Sequence, residues 1–141
     1  MYIKQISVFL ENSHGRLNDF TNMLGQAGID LIALSIADTT NFGILRAIVS
    51  DNDKALHIIR DNGYTANLTE VLAVAVPDVP GGLAGVLTLL KDNDVSIEYL
   101  YSFVRRVGND AIIIFRVDQP DKAGHLLRDH GIKLLEQDEI A

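Results

Sequence analysis

The stretch from Val76 to Leu87 contains the residues best suited to bind a small anion. An apolar run ends at Pro77, a short loop of Asp, Pro and Gly residues follows, and apolar residues then recur at helical spacing from Leu83. This order predicts a strand, a tight loop and a helix. A helix N-terminus presents N–H groups that have no intrahelical acceptor, so a carboxylate can bind there. Gly81 and Gly82 would let the backbone approach such a ligand closely.

The chain contains this arrangement twice, because its two halves are related in sequence. Ile6–Leu17 aligns with Leu72–Leu83 at an offset of 66 residues, and Asp53–Gly63 aligns with Asp121–Gly131 at an offset of 68. The change of offset predicts a two-residue insertion in the second copy, around Arg105–Asp110, where a hairpin tolerates extra residues. We therefore predict an internal duplication.

Each copy holds its loop with the same order of elements: strand, helix, strand, strand, helix, strand. The predicted elements are Ile3–Leu10, Arg16–Gln26, Leu31–Ala37, Gly43–Val49, a helix from Asp51 or Asn52 to just before Gly63, and Tyr64–Glu70; then Val71–Val76, Leu83–Lys91, Val95–Val104, Ala111–Val117, Pro120–Asp129 and Ile132–Gln137. This order is the ferredoxin-like β-α-β-β-α-β unit, an α+β fold with both helices on one face of an antiparallel sheet. The predicted domains are residues 1–70 and 71–141, packed together without a flexible linker.

The second copy resembles a known family. Its strand, the loop Asp78-Val79-Pro80-Gly81-Gly82-Leu83, the helix and Asn93-Asp94-Val95-Ser96-Ile97 are similar to the ACT domain, a regulatory module that binds small molecules. The first copy has Asn12-Ser13-His14-Gly15 in place of the family's Asp-x-Pro-Gly loop, but keeps Gly28-Ile29-Asp30-Leu31 at the start of its second strand. The resemblance covers the whole chain as two ACT-like units in tandem.

The resemblance implies that an amino acid or related metabolite binds where two units meet, with no cofactor. In the family, the loop before the first helix and the start of the second strand line this site. Carried over by position, this implies the following ligand-binding residues: Asn12, Ser13, His14, Gly15, Arg16 and Asp30 in copy one, and Asp78, Val79, Gly81, Gly82 and Ser96 in copy two. Asp30 or Asp78 would accept the ligand's ammonium group, and Gly82→Val is expected to weaken binding by crowding the ligand.

These residues also have a purely structural interpretation. Gly81 and Gly82 would then only shape the turn from strand to helix, Asp78 would form an Asx turn, and His14 would be an exposed loop histidine. His57 and its counterpart His125 have no further ligands suggested by the sequence, so no metal site is predicted.

Composition and charge exclude several other functions. The 141 residues include 48% apolar residues, no cysteine and a net charge of −7, with 5 basic and 8 acidic residues up to Glu70 and 7 and 11 after it. Both halves are acidic, which argues against nucleic acid as a partner. The sequence shows no signal-peptide pattern and no apolar run of membrane-spanning length, so a cytoplasmic protein is expected.

Three function classes are weighed. The first, which the resemblance favours, is a stand-alone amino-acid-binding regulatory protein that acts on a partner enzyme or transcription factor in trans, as a monomer or homodimer. The second is a small metabolic enzyme, but no nucleophile–base pair, phosphate-binding Gly-Lys loop or metal cluster is visible, so the chain is predicted not to be an enzyme. The third is an RNA-binding module, which needs exposed basic and aromatic residues on strands that are aliphatic here apart from Phe115.

Overall fold

A computed structural model of the chain describes residues 1–11, 13–38, 42–103 and 107–140. This part of the chain contains six strands and four α-helices, where the repeat predicted eight strands and four helices. They are β1 (Ile3–Glu11), α1 (Arg16–Gln26), β2 (Leu31–Asp38), β3 (Phe42–Val49), α2 (Asn52–Asp61), β4 (Ala66–Pro77), α3 (Gly82–Asp92), β5 (Ile97–Ser102), β6 (Asp110–Val117) and α4 (Pro120–Asp129). The α+β fold of two ferredoxin-like units is therefore confirmed.

The chain forms two compact units, which we call the N-terminal and C-terminal units. The N-terminal unit is Lys4–Thr69, and the C-terminal unit combines Met1–Ile3 with Glu70–Ile140. Compactness alone does not define a domain, so the domain limits 1–70 and 71–141 stay a prediction. Within the described residues, no helix has the length and apolar character needed to cross a membrane.

The N-terminal unit has the strand order β2-β3-β1-β4. β3 pairs antiparallel with β1 on one side and with β2 on the other. Alternate residues of β1 point toward the helices, so Ile6, Val8 and Leu10 share one buried core with Phe20 of α1 and Ile59 of α2. The side chain of Asp51 caps α2 by accepting a hydrogen bond from the Lys54 N–H at 3.1 Å.

The C-terminal unit repeats this arrangement with β4, β6 and β5 in that order. β6 pairs antiparallel with both neighbours. Leu72, Val74 and Val76 alternate into a core that also contains Val86 of α3 and Leu127 of α4. Both helices of each unit thus pack on one face of its sheet.

Two predictions about the strands are wrong. The predicted strands Tyr64–Glu70 and Val71–Val76 are one continuous strand, β4, because no proline or glycine interrupts the chain between them. The predicted strand Ile132–Gln137 is reduced to a single bridge between Leu134 and Val74.

The reason for the shortened last strand lies in the residues that follow the bridge. The Glu136 N–H donates to the Glu139 carboxylate at 3.0 Å, and the two residues form a capping box. This pair starts a short 3₁₀ helix, Gln137–Glu139, so the extended backbone ends almost as soon as it has paired.

Equivalent turns in the two copies have the same backbone conformation. Gly15 has φ 82° and ψ −5°, and Gly81 has φ 83° and ψ −5°. Gly63 and Gly131, 68 residues apart, both follow a helix and have φ of 85° and 73°. Positive φ favours glycine, so the repeat preserves the backbone requirement as well as the sequence.

Candidate functional site

A cavity of about 230 Å³ lies beside the N-terminus of α1 in the N-terminal unit. The end of β1, the loop after it, the first turn of α1 and the nearby ends of β2 and β3 supply its walls. The lining residues are Leu10, Glu11, Ser13, Arg16, Leu17, Ile36 and Gly43. The cavity therefore lies at the loop position that the repeat singles out, in the first copy.

Strand register brings distant parts of the chain to this cavity. Gly43 of β3 pairs with Leu10 on β1 and with Asp38 on β2. Ile36 lies two residues before Asp38 on β2, so its side chain projects from the same face of the sheet as Leu10. The exposed fraction of Ile36 is 41%, which is high for an apolar side chain on the helix-covered face.

Arg16 is the cation of the cavity. Its guanidinium carbon lies 4.8 Å from the centroid of the Tyr64 ring, over the ring face. Its Nε is buried and has no hydrogen-bond partner. A buried donor without an acceptor is costly to the folded chain. The charge of the guanidinium still favours an anionic ligand in the cavity.

Glu11 is the acidic residue among those that line the cavity, and it is exposed. It ends β1 and directly follows Leu10, so its side chain leaves the strand on the face opposite to that of Leu10. Among the described residues, no ion pair joins Glu11 to Arg16. Two opposite charges thus line one small cavity without neutralising each other. A zwitterion is the kind of molecule that can satisfy both.

The N-terminus of α1 adds positive character next to Arg16. Its N-cap is Gly15, which has no side chain to cap the helix. The first intrahelical bond runs from the Asp19 N–H to the Gly15 carbonyl at 2.9 Å. Of the three N–H groups before it, that of Arg16 donates to the Ser13 carbonyl at 3.3 Å, and those of Leu17 and Asn18 have no helical acceptor. The helix dipole and these N–H groups favour an anion at this end.

The structure brings only some of the predicted loop residues into the cavity. Ser13 and Arg16 line it, whereas the neighbouring His14 and Gly15 are exposed and are not part of its lining. Asn12, the remaining predicted loop residue, lies outside the described residues.

Asp30 is far from the loop within its own unit. It precedes Leu31, which pairs with Val49 at one end of β3, whereas the cavity is at Gly43, the other end. At a rise of about 3.4 Å per residue these ends are about 20 Å apart. One small ligand cannot contact both Asp30 and the cavity of the same unit, and the same register separates Ser96 from the loop of copy two.

Both of these strand-start residues have a structural role through their backbones. The Asp30 N–H donates to the Ser50 hydroxyl at 3.0 Å. The Ser96 N–H, at the equivalent position, donates to the Asp118 carboxylate at 2.9 Å. Each copy thus anchors the start of its second strand with a side chain from the end of its third.

The loop of copy two shares the backbone of the loop of copy one but has different side chains. Asp78, Val79 and Gly81 are exposed, and the Gly82 N–H donates to the Val79 carbonyl at 3.0 Å. A Cβ at Gly82 would collide with the carbonyl oxygen of Pro77. Glycine is therefore required here for backbone packing, so Gly82→Val would disturb the fold and does not isolate an effect on a ligand.

Two displaced pKa values belong to residues outside the cavity, Glu136 and Glu139. A hydrogen bond from the Met1 ammonium group, at 2.8 Å, lowers the pKa of Glu136, with a further contribution from Arg128. A hydrogen bond from the Glu136 backbone lowers the pKa of Glu139, together with one from Lys133. In the part of the chain that is described, no group of three or more His, Cys, Asp or Glu residues could hold a metal ion.

Comparison with known proteins identifies the family. The family model for an ACT domain pair matches residues 1–141. The chain belongs to this family. It is thus a tandem of regulatory ACT domains, as its loop motif and its repeat predicted.

Solved structures with a similar fold agree with this assignment. Protein BT0572 from Bacteroides thetaiotaomicron is 44% identical, with 96% of this chain and 92% of that chain covered and a TM-score of 0.89. The ligand-free regulatory subunit of aspartate kinase from Thermus thermophilus is 14% identical, with 89% and 91% covered and a TM-score of 0.62. The Thermus flavus subunit is 13% identical, with 89% and 90% covered and a TM-score of 0.59. These two regulatory subunits show that the fold is shared. Comparison with curated proteins gives no match.

The ACT loop motif named two residues of the cavity wall, Ser13 and Arg16, and left out the others. Glu11 is the last residue of an alternating strand and carries no loop signal, although it lines the cavity. Ile36 and Gly43 reach the cavity only through strand register. In the sequence, the one hint of this wall is the apolar Leu17, which directly follows Arg16. In the structure its side chain is 39% exposed.

Proposed function

We propose that this ACT domain pair binds one small α-amino acid in the cavity of its first copy and acts as a regulatory module. The observation that carries the proposal is the pair of unneutralised, opposite charges, Arg16 and Glu11, which line one cavity of about 230 Å³. The ligand's carboxylate binds the Arg16 guanidinium and the N-terminus of α1. Its ammonium group binds Glu11, whose carboxylate reaches the mouth of the cavity around the end of β1.

The arginine suits the carboxylate because its planar fork of donors can bind two carboxylate oxygens together. The ring of Tyr64 supports the guanidinium from one face, which restricts its motion before the ligand arrives. Glu11 replaces Asp30 as the acceptor for the ammonium group, because Asp30 is about 20 Å away within the unit.

The loop of copy two, Asp78–Gly82, is the second candidate position and is less well equipped. At the offset of 66, Pro77 occupies the place of Glu11, and Gly82 occupies that of Arg16. Copy two therefore lacks both charged side chains at the equivalent positions. Because a side chain at Gly82 would collide with Pro77, an arginine is not tolerated there.

The output of binding is proposed to be regulation of a partner in trans. Ligand binding can change a partner's affinity only if the partner interacts differently with the bound and free forms of the chain. The partner is an enzyme or a transcription factor whose pathway handles the ligand. The ligand changes the exposed surface at two places. These are the loop before α1 and the exposed side chains of Leu17 and Ile36.

Thermal unfolding in the presence of each of the twenty amino acids tests the binding proposal. At a ligand concentration 100-fold above Kd, the free energy of unfolding should rise by about 2.7 kcal/mol, a shift of several degrees in Tm. The matched controls are the des-amino acid and the decarboxylated amine of each hit. Both should stabilise far less, because each leaves one cavity charge without its partner.

Equal stabilisation by the des-amino acid would contradict a role for Glu11. Absence of any stabilising amino acid at millimolar concentration would contradict the proposal as a whole.

A further inference from the structure

Part of the cavity wall is apolar, in addition to its two charged residues. Leu10, Leu17 and Ile36 form the apolar part, and Gly43 contributes no side chain. Leu17 and Ile36 are 39% and 41% exposed, so two large apolar side chains face solvent beside the charged groups. A ligand that covered them would remove apolar surface from water.

The size of the cavity limits which ligands can cover the side chains of Leu17 and Ile36. An engineered cavity of about 150 Å³ holds benzene, which has six non-hydrogen atoms. By proportion, about 230 Å³ holds about nine such atoms. Leucine and isoleucine have nine and valine has eight, whereas aromatic amino acids have twelve or more.

The polar groups on this wall leave Ser13 as the one side-chain partner for a polar group on the ligand. Ser13, Glu11 and Arg16 are its polar lining residues, and the proposed binding mode uses the two charged ones for the ligand's main-chain groups. A hydroxyl or amide on the ligand would face Leu10, Leu17 and Ile36 and lose its hydrogen bonds to water.

We infer that the ligand is an α-amino acid with an aliphatic side chain of three or four carbon atoms. This inference rests on the proposed function, since it assumes that Arg16 and Glu11 hold the zwitterion. It goes further because it assigns the class of side chain that the site selects.

Titration calorimetry with glycine, alanine, valine, leucine and isoleucine measures the contribution of the side chain directly. Each buried methylene should raise affinity about fourfold, so leucine or isoleucine should bind about 100-fold more tightly than glycine. Threonine, the polar isostere of valine, should bind about 10- to 100-fold more weakly than valine. Phenylalanine should bind more weakly than leucine because it exceeds the available space.

Leu17→Ala, with Leu100→Ala as its matched control, tests the wall itself. Leu100 is 37% exposed, close to the value for Leu17, but it lies on β5 in the other unit. Leu17→Ala should weaken leucine binding about 5- to 10-fold and leave glycine binding unchanged. Leu100→Ala should leave both affinities unchanged.

The outcomes separate this inference from the function on which it rests. Tightest binding of a polar, charged or aromatic amino acid, in a mode that still requires Arg16, would overturn the inference and leave the proposed function intact. An affinity for leucine that is unaffected by Leu17→Ala would also overturn it. If no amino acid binds, the proposed function itself fails.

Discussion

Replacing Arg16 by methionine should separate ligand affinity from stability. Methionine is unbranched and of similar reach, so it keeps an apolar contact with the ring of Tyr64 while it removes the charge and every donor. The change is therefore confined to the group that we propose binds the ligand's carboxylate.

The expected loss of affinity follows from the lost hydrogen bonds. Hydrogen bonds to charged groups contribute about 1.5–3 kcal/mol each. Loss of one such bond from Arg16 weakens binding about 10- to 150-fold, and loss of a bidentate pair weakens it further.

The expected effect on stability without ligand is small and has an unusual sign. Arg16→Met removes a cation–π contact worth about 0.5–2 kcal/mol. It also removes a buried Nε that has no hydrogen-bond partner, which relieves a cost of about 1–3 kcal/mol. The net change in the free energy of unfolding therefore lies between a loss of about 1 kcal/mol and a gain of about 2.5 kcal/mol, centred on a gain of about 1 kcal/mol.

Arg60→Met is the matched control in the same unit. Arg60 donates from Nε at 3.2 Å and from Nη2 at 2.9 Å to the carbonyl of Ala66 and does not line the cavity. This variant should lose about 1.5–3 kcal/mol of stability and keep its affinity for the ligand. Urea denaturation without ligand and titration calorimetry measure the two quantities. Unchanged affinity in Arg16→Met would refute the carboxylate contact, and a stability loss as large as that of Arg60→Met would refute the assigned cost of the buried Nε.

Further predictions concern the fold around the site. Gly82→Ala should lower the free energy of unfolding by about 1–3 kcal/mol in urea denaturation, because its Cβ collides with the Pro77 carbonyl. Phe20→Ala should cost about 3–5 kcal/mol by the same measurement, since the ring is fully buried. The hydrogen bond from the Glu136 backbone holds the pKa of Glu139 below 4.5, so its contribution to stability is complete above pH 4.5 and is lost as the pH falls below that value. Urea midpoints measured from pH 7 to pH 3 should therefore fall less steeply for Glu139→Gln than for the unchanged chain.

Much of the fold could be predicted because local signals and the repeat agree. The helix Pro120–Asp129 was predicted with its observed bounds, since proline at its start and the glycine beyond its end mark both limits. Alternation along β1 likewise predicted that Ile6, Val8 and Leu10 face the core. These signals are local, so they can be recognised without knowledge of the neighbouring strands.

The features that escaped prediction depend on contacts between distant residues. The end of the last strand at Leu134 depends on the capping box of Glu136 and Glu139, which competes with strand pairing. The cavity at Arg16 could not be identified from the sequence. It is visible only from the strand register and from the lack of a hydrogen-bond partner for the Arg16 Nε. Glycine motifs drew attention to Gly82, whose lack of a side chain is explained by the nearby Pro77 carbonyl.

A crystal structure of the chain with its tightest-binding amino acid tests the proposed site most directly. We expect one ligand per chain, in the cavity lined by Arg16, Glu11 and Ile36, with a carboxylate oxygen within about 2.7–3.2 Å of the Arg16 guanidinium. The loop Asp78–Gly82 should be unoccupied. A ligand bound at Asp78–Gly82, or one whose carboxylate does not contact Arg16, would contradict the assignment of the site to the first copy.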